Sequence, residues 1–446
     1  MRYRIPKDTE MTPELLAKYI GKHKTDVQKR NKRLQDAYQN DYEIFKAPPK
    51  EDGKPDVRIS ANFAKYLVDT FTGFFCGIPI KVTSDDDRVA EYVEFLSAYN
   101  DEDNHNLELA KGADIHGDMH ELLYVDEDGM ICYTEMSVMN SFFLTDDSIL
   151  ERPMYFVRYY KDADKVERGS WSDATSVQYF HRDAIYKWDD EPVIHGFDGV
   201  PAIEFDENKE RMGLFESVFS EINAYNKALS EKANDVDYFA DAYMKVLGPK
   251  MENDDLPLIR RNRVINFEGD MGSLPEVDFL QKPSADTTQE HLLDRLEKNI
   301  FLTSMVSDIS DENFAGQSSG VALKYKLLAM QDLAYFKQLK FQSALNRRYK
   351  LIFSNPLSRG HGVKEDDWAK INYHFTPNYP ANIEDEANTA KSLEGVVSTE
   401  TQLKVLSIVD NVQEEIDRMD EEKKDSQTAA VDQMFKTGEQ TEQKDQ

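Results

Sequence analysis

From Gly213 to Tyr243 the apolar positions fall at Phe215, Val218, Ile222, Tyr225, Leu229, Ala233, Val236, Ala240 and Tyr243, in steps of three and four. That spacing keeps one helix face apolar without a break and predicts a rod of about 46 Å, closed by Gly248-Pro249. A second helix is predicted from an Asp286/Thr287 cap to about Ser307, striped by Leu292, Leu293, Leu296, Ile300, Phe301 and Met305. A third, about 50 Å long, runs from about Val321 to Phe353, capped by Ser318 or Ser319 and stopped by Asn355-Pro356. Between the first two helices, Val264–Phe267 and Val277–Leu280 read as strands, punctuated by Gly269, Gly272, Pro275 and Pro283. Between the second and third lies Asp308–Gly320, polar and glycine-bearing, a flexible loop by composition.

Upstream the pattern is mixed. Residues 10–46, 60–76, 87–100 and 104–114 read as helices, the first with Thr12 as N-cap and Pro13 in its first turn. Ile78–Val82 reads as a strand. From Gly117 to about Phe205 the pattern turns to strands at Leu122–Val125, Ile131–Thr134, Ser141–Leu144, Pro153–Tyr160, Ser176–Phe180 and Ala184–Lys187. The fold class is therefore α+β. Downstream, 371–376 reads as a strand and Asn382 caps a helix to about Gly395. Thr399-Glu400-Thr401-Gln402 is a capping box for a helix from Gln402 to about Met419. After Asp420 the composition is that of a frayed, acidic tail.

Composition narrows the classes. The chain has 446 residues, 40% of them hydrophobic, enough for a substantial core. Acids outnumber bases 84 to 54, for a formal net charge of -30. That balance disfavours casual binding to nucleic acid or to an anionic membrane. Two distant cysteines, Cys76 and Cys132, exclude a disulfide framework and point to a reducing compartment. There is no secretory h-region and no membrane-spanning apolar run, so a soluble, cytosolic chain without a membrane partner is expected. No G-x-x-x-x-G-K-[ST], G-x-G-x-x-G or G-x-S-x-G occurs, so nothing marks a motor ATPase, a dinucleotide site or a hydrolase, and no cofactor is expected.

Weaker signals remain. His116 and His120, beside Asp114, Asp118 and Glu121, would share a helix face and offer a metal pair. Gly117 interrupts that segment, and solvated histidines at a loop or strand edge, with no metal, are the reading adopted. Asp85-Asp86-Asp87, Asp101-Glu102-Asp103 and Asp146-Asp147 lack the spacing of a calcium loop and read as solvated turns. Arg260, Arg261 and Arg263 form a basic patch that fits phosphates, an acidic partner surface, or a charged hairpin edge that resists aggregation. Arg347-Arg348, late in the third long helix, reads as compensation of the helix dipole.

Long helix, small β insert, long helix, polar loop and very long helix make an odd enzyme, but they suit a tube with helices along its wall. Three stretches, taken in this order, resemble the portal proteins of tailed bacteriophages, the siphovirus type infecting Gram-positive bacteria. They are Asn62-Phe63-Ala64-Lys65-Tyr66-Leu67-Val68-Asp69 with Gly77-Ile78-Pro79-Ile80, then Gly316-Gln317-Ser318-Ser319-Gly320-Val321-Ala322-Leu323-Lys324-Tyr325, then Phe375-Thr376-Pro377-Asn378 with Pro380-Ala381-Asn382 and Gly395-Val396-Val397-Ser398-Thr399-Glu400-Thr401. The resemblance spans about residues 10–420 and implies the portal fold. An α/β wing would comprise 1–212, the long helix 321–353 and a return strand in 354–381. Stem helices would be 213–247 and 285–307, with a small β-containing clip at 248–284. The loop 308–320 would face the tunnel and lead into the long, kinked helix. A helical crown with the acidic tail would be 382–446.

The resemblance further implies a non-enzymatic ring, typically of twelve subunits, at the capsid vertex of the virion, assembled in the host cytoplasm. Its partners would be double-stranded DNA passing through the channel, terminase, capsid and scaffolding proteins, and head–tail connector proteins. In the loop, Asp308, Asp311 and Glu312 would repel phosphate, while Asn313, Phe314 and Gln317 would touch the duplex transiently. Gly316 and Gly320 would act as hinges, and Arg260, Arg261 and Arg263 would meet the clip's partners. The rival expectation is another self-assembling cytosolic ring or scaffold with no role in DNA handling.

Overall fold

The computed structural model describes residues 2–50, 55–240, 244–248, 264–268, 276–279, 286–309, 320–378, 383–406, 408–409, 412–413 and 415–424. The chain divides into two compact units, 1–309 with 327–378, and 310–326 with 379–446.

In the first unit a short strand β1 (Tyr3–Ile5) precedes helices α1 (Pro13–Asp26), α2 (Gln28–Tyr38), α3 (Glu43–Lys46) and α4 (Phe63–Cys76). Thr12 caps α1 as expected, its Oγ1 accepting from the Leu15 amide at 3.2 Å, with Pro13 in the first turn. The single helix expected over 10–46 is broken at Val27 and again at Asn40, whose φ is +67°. Strand β2 (Lys81–Ser84) and helices α5 (Asp87–Asn100) and α6 (Glu102–His116) follow.

Nine strands come next: β3 (Asp118–Val125), β4 (Ile131–Met136), β5 (Ser141–Asp146), β6 (Pro153–Lys161), β7 (Glu167–Ser172), β8 (Ser176–Arg182), β9 (Tyr186–Trp188), β10 (Val193–Ile194) and β11 (Ala202–Asp206). Strands β1-β5-β6-β7-β8-β10 are neighbours in one sheet, with β9 also on β8; only β1 on β5 is parallel. Helix α1 covers this sheet. Leu16, Tyr19 and Ile20 pack with Phe142, Leu144, Val157, Tyr159 and Phe180 into one apolar cluster. A second sheet, β11-β3-β4, carries the chain onward from α6. Gly117 makes that turn at φ +91°, where a Cβ would lie 2.1 Å from the Arg211 carbonyl oxygen. Only glycine fits such a close backbone approach in the left-handed region.

After a 3-10 turn at Glu216–Val218 comes helix α7 (Phe219–Ala240). The α-helix expected from Gly213 therefore starts later, Asp241–Tyr243 lie outside the described residues, and Met244–Gly248 is a strand, β12. It pairs parallel with β13 (Val264–Glu268) and antiparallel with β14 (Glu276–Phe279). Tyr243, Val246 and Leu247 continue the apolar period of the helix in sequence, which hid the change. Helix α8 (Asp286–Ser304) packs on α7, and helix α9 (Gly320–Ser354) ends before Asn355-Pro356. Strand β15 (Ile371–His374) returns to pair with β2. In the second unit, α10 (Ile383–Leu393) packs on α11 (Thr399–Leu403). Ser398 caps α11, accepting from the Thr401 amide, so the cap lies one residue before the expected box; α11 stops at Leu403, and residues 412–413 and 415–424 are helical again, so the helix expected to about Met419 is present in interrupted form. No helix among the described residues is long and apolar enough to cross a membrane.

One polar device ties α7 to the strap that leads into α4. Asn226, Ser230 and Asn234 stand one turn apart on α7 and are all buried. Asn226 Oδ1 accepts from the Ala61 amide at 2.8 Å. Ser230 Oγ accepts from the Ile59 amide at 3.0 Å and donates to the Ile59 carbonyl at 2.9 Å. Asn234 does the same for both backbone groups of Val57, at 2.6 and 3.1 Å. Four helical residues rise about 6 Å, close to the repeat of two extended residues, so a helix face pairs with alternate strap residues as a neighbouring strand would. Ser230→Ala would take the hydroxyl partner from the Ile59 N–H and C=O, which lie in a part-buried contact. It should lower stability by about 1 kcal/mol, read as a shift in the urea midpoint at unchanged slope.

Candidate functional site

The expected working element is the segment that joins α8 to α9. Its near end is fastened to α4, and the helix it leads into is clamped further along. On the near side, Ile300 and Val306 are buried and Phe301 sits edge-on to Phe63 and Tyr66 of α4, ring centres 5.9 and 5.7 Å apart. Helix α8 ends at Ser304, and Met305 takes a left-handed φ of +62° that turns the chain back. The Tyr66 hydroxyl accepts from the Ile309 amide at 3.0 Å and reaches Asp308 Oδ1 at 3.5 Å. Asp308 therefore starts the loop from a fixed post on α4. Burial, then the charges of Asp308 and Asp294, raise the Glu297 carboxyl above its ordinary value. Asp311, Glu312, Asn313, Phe314, Gly316 and Gln317 lie outside the described residues, as do Arg260, Arg261 and Arg263. Gly320 is the first residue of α9.

On the far side, α9 is clamped to α6 by two buried cations about three turns apart on one face. Lys337 is 1% exposed. Its Nζ donates to Asp114 Oδ1 at 2.6 Å and to the Ala110 carbonyl at 2.9 Å, and lies 2.8 Å from Glu207 Oε2. Thr72 of α4 donates to the other Asp114 oxygen at 2.6 Å. Arg348 is fully buried. Its guanidinium forks onto Glu121 at 3.0 and 2.5 Å and donates to Glu102 at 2.7 Å and to Asn106 at 2.9 Å. Tyr349 donates to Glu102, and His105 Nε2 lies 2.7 Å from Glu121. Burial works against the Arg348 charge, and Glu121 and then Glu102 overcome it, so its pKa rises. At the other clamp two carboxylates share one ammonium. Burial pushes the Glu207 carboxyl up to about 8, with Lys337 opposing that shift and Asp114 adding to it.

These clamps correct two expectations. Arg348 does not compensate a helix dipole: it lies well before the end of α9 at Ser354 and is consumed by buried carboxylates. Glu102 is not part of a solvated turn but a buried acid in the first turn of α6. Asp86 and Asp146 are also bound locally, Asp86 to Arg88 and Lys370, Asp146 to the Ser148 and Arg152 amides. The sequence did carry a signal for the clamps. Lys337 and Arg348 fall in phase with Met330, Ala334, Phe341 and Leu345, all buried, so they are charges at core positions of a helical stripe.

His116 and His120 are buried, not solvated. Burial lowers both pKa values, His116 to about 4 and His120 well below its ordinary value. No group of three metal-ligating side chains among the described residues includes His116. His120 Nδ1 meets Ser141 Oγ at 2.8 Å, and its ring stands edge-on to Phe143 and Phe156. Asp118, His120 and Glu204 do bring one donor atom each within 4.8 Å of one another. Arg211 lies 3.0 Å from Glu204 and 3.6 Å from Asp118, and Arg2 also donates to Glu204 at 2.7 Å. Two guanidiniums already neutralise these carboxylates and would repel a divalent ion, so the donor set fits an internal ion-pair network rather than a metal.

A family described as phage portal protein, SPP1 Gp6-like, matches residues 17–429. A portal protein of Bacillus phage SPP1 is 25% identical over 401 residues, covering 83% of this chain and 77% of that protein. A portal protein of Clostridium phage phiCD119 is 24% identical over 400 residues, covering 83% and 85%. Among solved structures, a chain from the neck of an empty GTA particle, computed with C6 symmetry, aligns at 10% identity with a TM-score of 0.43, covering 77% of this chain and 89% of that one.

The clamps make two measurable demands. Arg348→Met would leave Glu102 and Glu121 buried without their cation and should cost about 3–5 kcal/mol in chemical denaturation. Glu207 keeps its proton longer in the folded state than in the unfolded state. Its stabilising contribution is complete below the ordinary carboxyl value of 4.5 and is gone once the pH has risen through about 8. Glu207→Gln should therefore lose less melting temperature than the wild type between pH 5 and pH 8, read by thermal unfolding across that range.

Proposed function

Because the chain belongs to the phage portal protein family, SPP1 Gp6-like, we propose that it is one subunit of the ring at the capsid vertex through which double-stranded DNA is packaged and ejected. Family membership over most of the chain is the observation that carries this reading. The chain is accordingly a structural protein and not an enzyme. No observation favours the rival reading of a ring or scaffold without a DNA role.

In this reading residues 1–212, 321–353 and 354–381 form the wing, 213–247 and 285–307 the stem, 248–284 the clip and 382–446 the crown. The clip docks terminase during packaging and connector proteins afterwards, with Arg260, Arg261 and Arg263 at that contact. Capsid and scaffolding proteins meet the ring during assembly in the host cytoplasm, and twelve copies close it. The loop 308–320 faces the tunnel. Three features support the loop's role. Its first residue is pinned to α4 through Tyr66, its far end opens directly into the clamped helix α9, and an acidic neighbourhood at Asp294, Glu297 and Asp308 lies at its root. A wall that repels phosphate holds DNA in no deep electrostatic well, and the net charge of -30 suits such a wall.

A loop variant carrying Asp311→Ala with Glu312→Ala should assemble normally and change packaging efficiency or DNA retention, measured as nuclease-protected DNA per particle. Packaging and retention equal to wild type would remove the loop from the mechanism.

A further inference from the structure

The outward face of α9 is left uncovered, and it changes character along its length. Leu328, Tyr335, Phe336 and Leu339 are 50%, 56%, 61% and 50% exposed. They lie opposite Met330, Ala334, Lys337 and Phe341, which are buried. One turn further the same face becomes cationic. Lys340 and Arg347 line a cleft of about 630 Å³, with Arg152 and Lys209 across it. Arg2 and Arg211 also line this cleft, but Glu204 and Asp206 occupy them. None of Lys340, Arg347, Arg152 and Lys209 has an ion-pair partner among the described residues. Arg347 is half-buried, and burial lowers its pKa, with only Asp198 acting in the other direction.

A row of large apolar side chains running into unpaired cations asks for an aromatic or aliphatic surface that ends in carboxylates. The chain itself carries such a surface. Tyr99, Tyr124 and Val125 are 42%, 44% and 37% exposed beside the turn Asp126-Glu127-Asp128. Tyr99 donates to Asp126 at 2.7 Å, which fixes the aromatic and acidic parts together. In the sheet β11-β3-β4, the cleft borders the β11 edge, whereas this turn joins β3 to β4 and α5 packs on β4 at the other edge. β11 pairs with the start of β3 while the acidic turn follows the end of β3, so the two surfaces are distinct faces separated along the strands, as a head-to-tail contact requires.

We infer that the exposed face of α9, from Leu328 to Arg347, binds the Tyr99/Tyr124 surface and its acidic turn on a second copy of this chain. The inference rests on the ring reading and names the faces that close it. Copies with so large a net negative charge repel one another unless a cationic face meets an acidic one, and this is such a face. Duplex DNA fits less well, because phosphates would satisfy the cations and leave the four apolar side chains in water.

The test is native mass spectrometry of the full chain at low and high salt, with thermal melts as the folding control. Phe336→Glu, and separately Lys340→Glu with Arg347→Glu, should melt as wild type and lose the ring species. Glu127→Lys with Asp128→Lys should lose it too, and combining both charge reversals should restore it. Rings that persist in the α9 variants overturn the inference while leaving the ring reading intact. Lost rings without rescue overturn the assigned partner face. Variants that keep rings but lose retardation of a short duplex overturn it in favour of a nucleic-acid contact. A wild type that is monomeric at every salt concentration overturns the ring reading, and this inference with it.

Discussion

Two cations buried on one face of α9 set the geometry on which the rest of the first unit depends. Each of Lys337 and Arg348 gives up its hydration, a penalty of several kcal/mol per ion. Attraction of Lys337 to Asp114, with a hydrogen bond to Glu207, and of Arg348 to Glu102 and Glu121, offsets that penalty only if the helix sits in one position. An apolar stripe alone would tolerate sliding by a turn, since Leu, Met and Phe repack with modest loss. A bidentate guanidinium does not tolerate it. The clamps therefore contribute register more than net stability. They run between α6 and α9 in opposite chain senses, Glu102 with Arg348 and Asp114 with Lys337, so the two helices are antiparallel and aligned along about three turns.

Helix α4 carries this rigidity to the rest of the unit. Thr72 joins the Lys337 clamp through Asp114, Tyr66 holds the start of the loop, and Phe63 packs on Tyr225 of α7 and Phe301 of α8. The strap entering α4 is itself hydrogen-bonded along α7 by Asn226, Ser230 and Asn234. The chain thus leaves α8 on this scaffold, and α9 is clamped to the same scaffold further along, at Lys337 and Arg348.

Local chemistry explains what was legible in the sequence. The extents of α4, α5 and α9, the Thr12 cap, and most strands between Asp118 and Arg182 follow from apolar period and turn residues, which act over a few positions. Strand β1 is too short to show a period, and β12 continued one. The buried charges were misread for a different reason. Arg348, Glu102, His116 and His120 are polar to any local reading, and their burial depends on partners such as Glu121 or Ser141 brought in by tertiary structure. A charge at an in-phase core position is the one local trace they leave. The fastening of Asp308 through Tyr66, 242 residues away, left no local trace.

The acids at the root of that loop are like charges that the fold holds together. Burial, then the charges of Asp308 and Asp294, raise the Glu297 carboxyl above its ordinary value, so the ionised cluster forms against its own repulsion. What holds it is apolar and neutral: Phe301 packs edge-on to Phe63 and Tyr66, and the Tyr66 hydroxyl meets both Asp308 and the Ile309 amide. In the proposed function such a cluster adds to the negative potential at the start of the loop, where a polyanion would meet repulsion and no binding well.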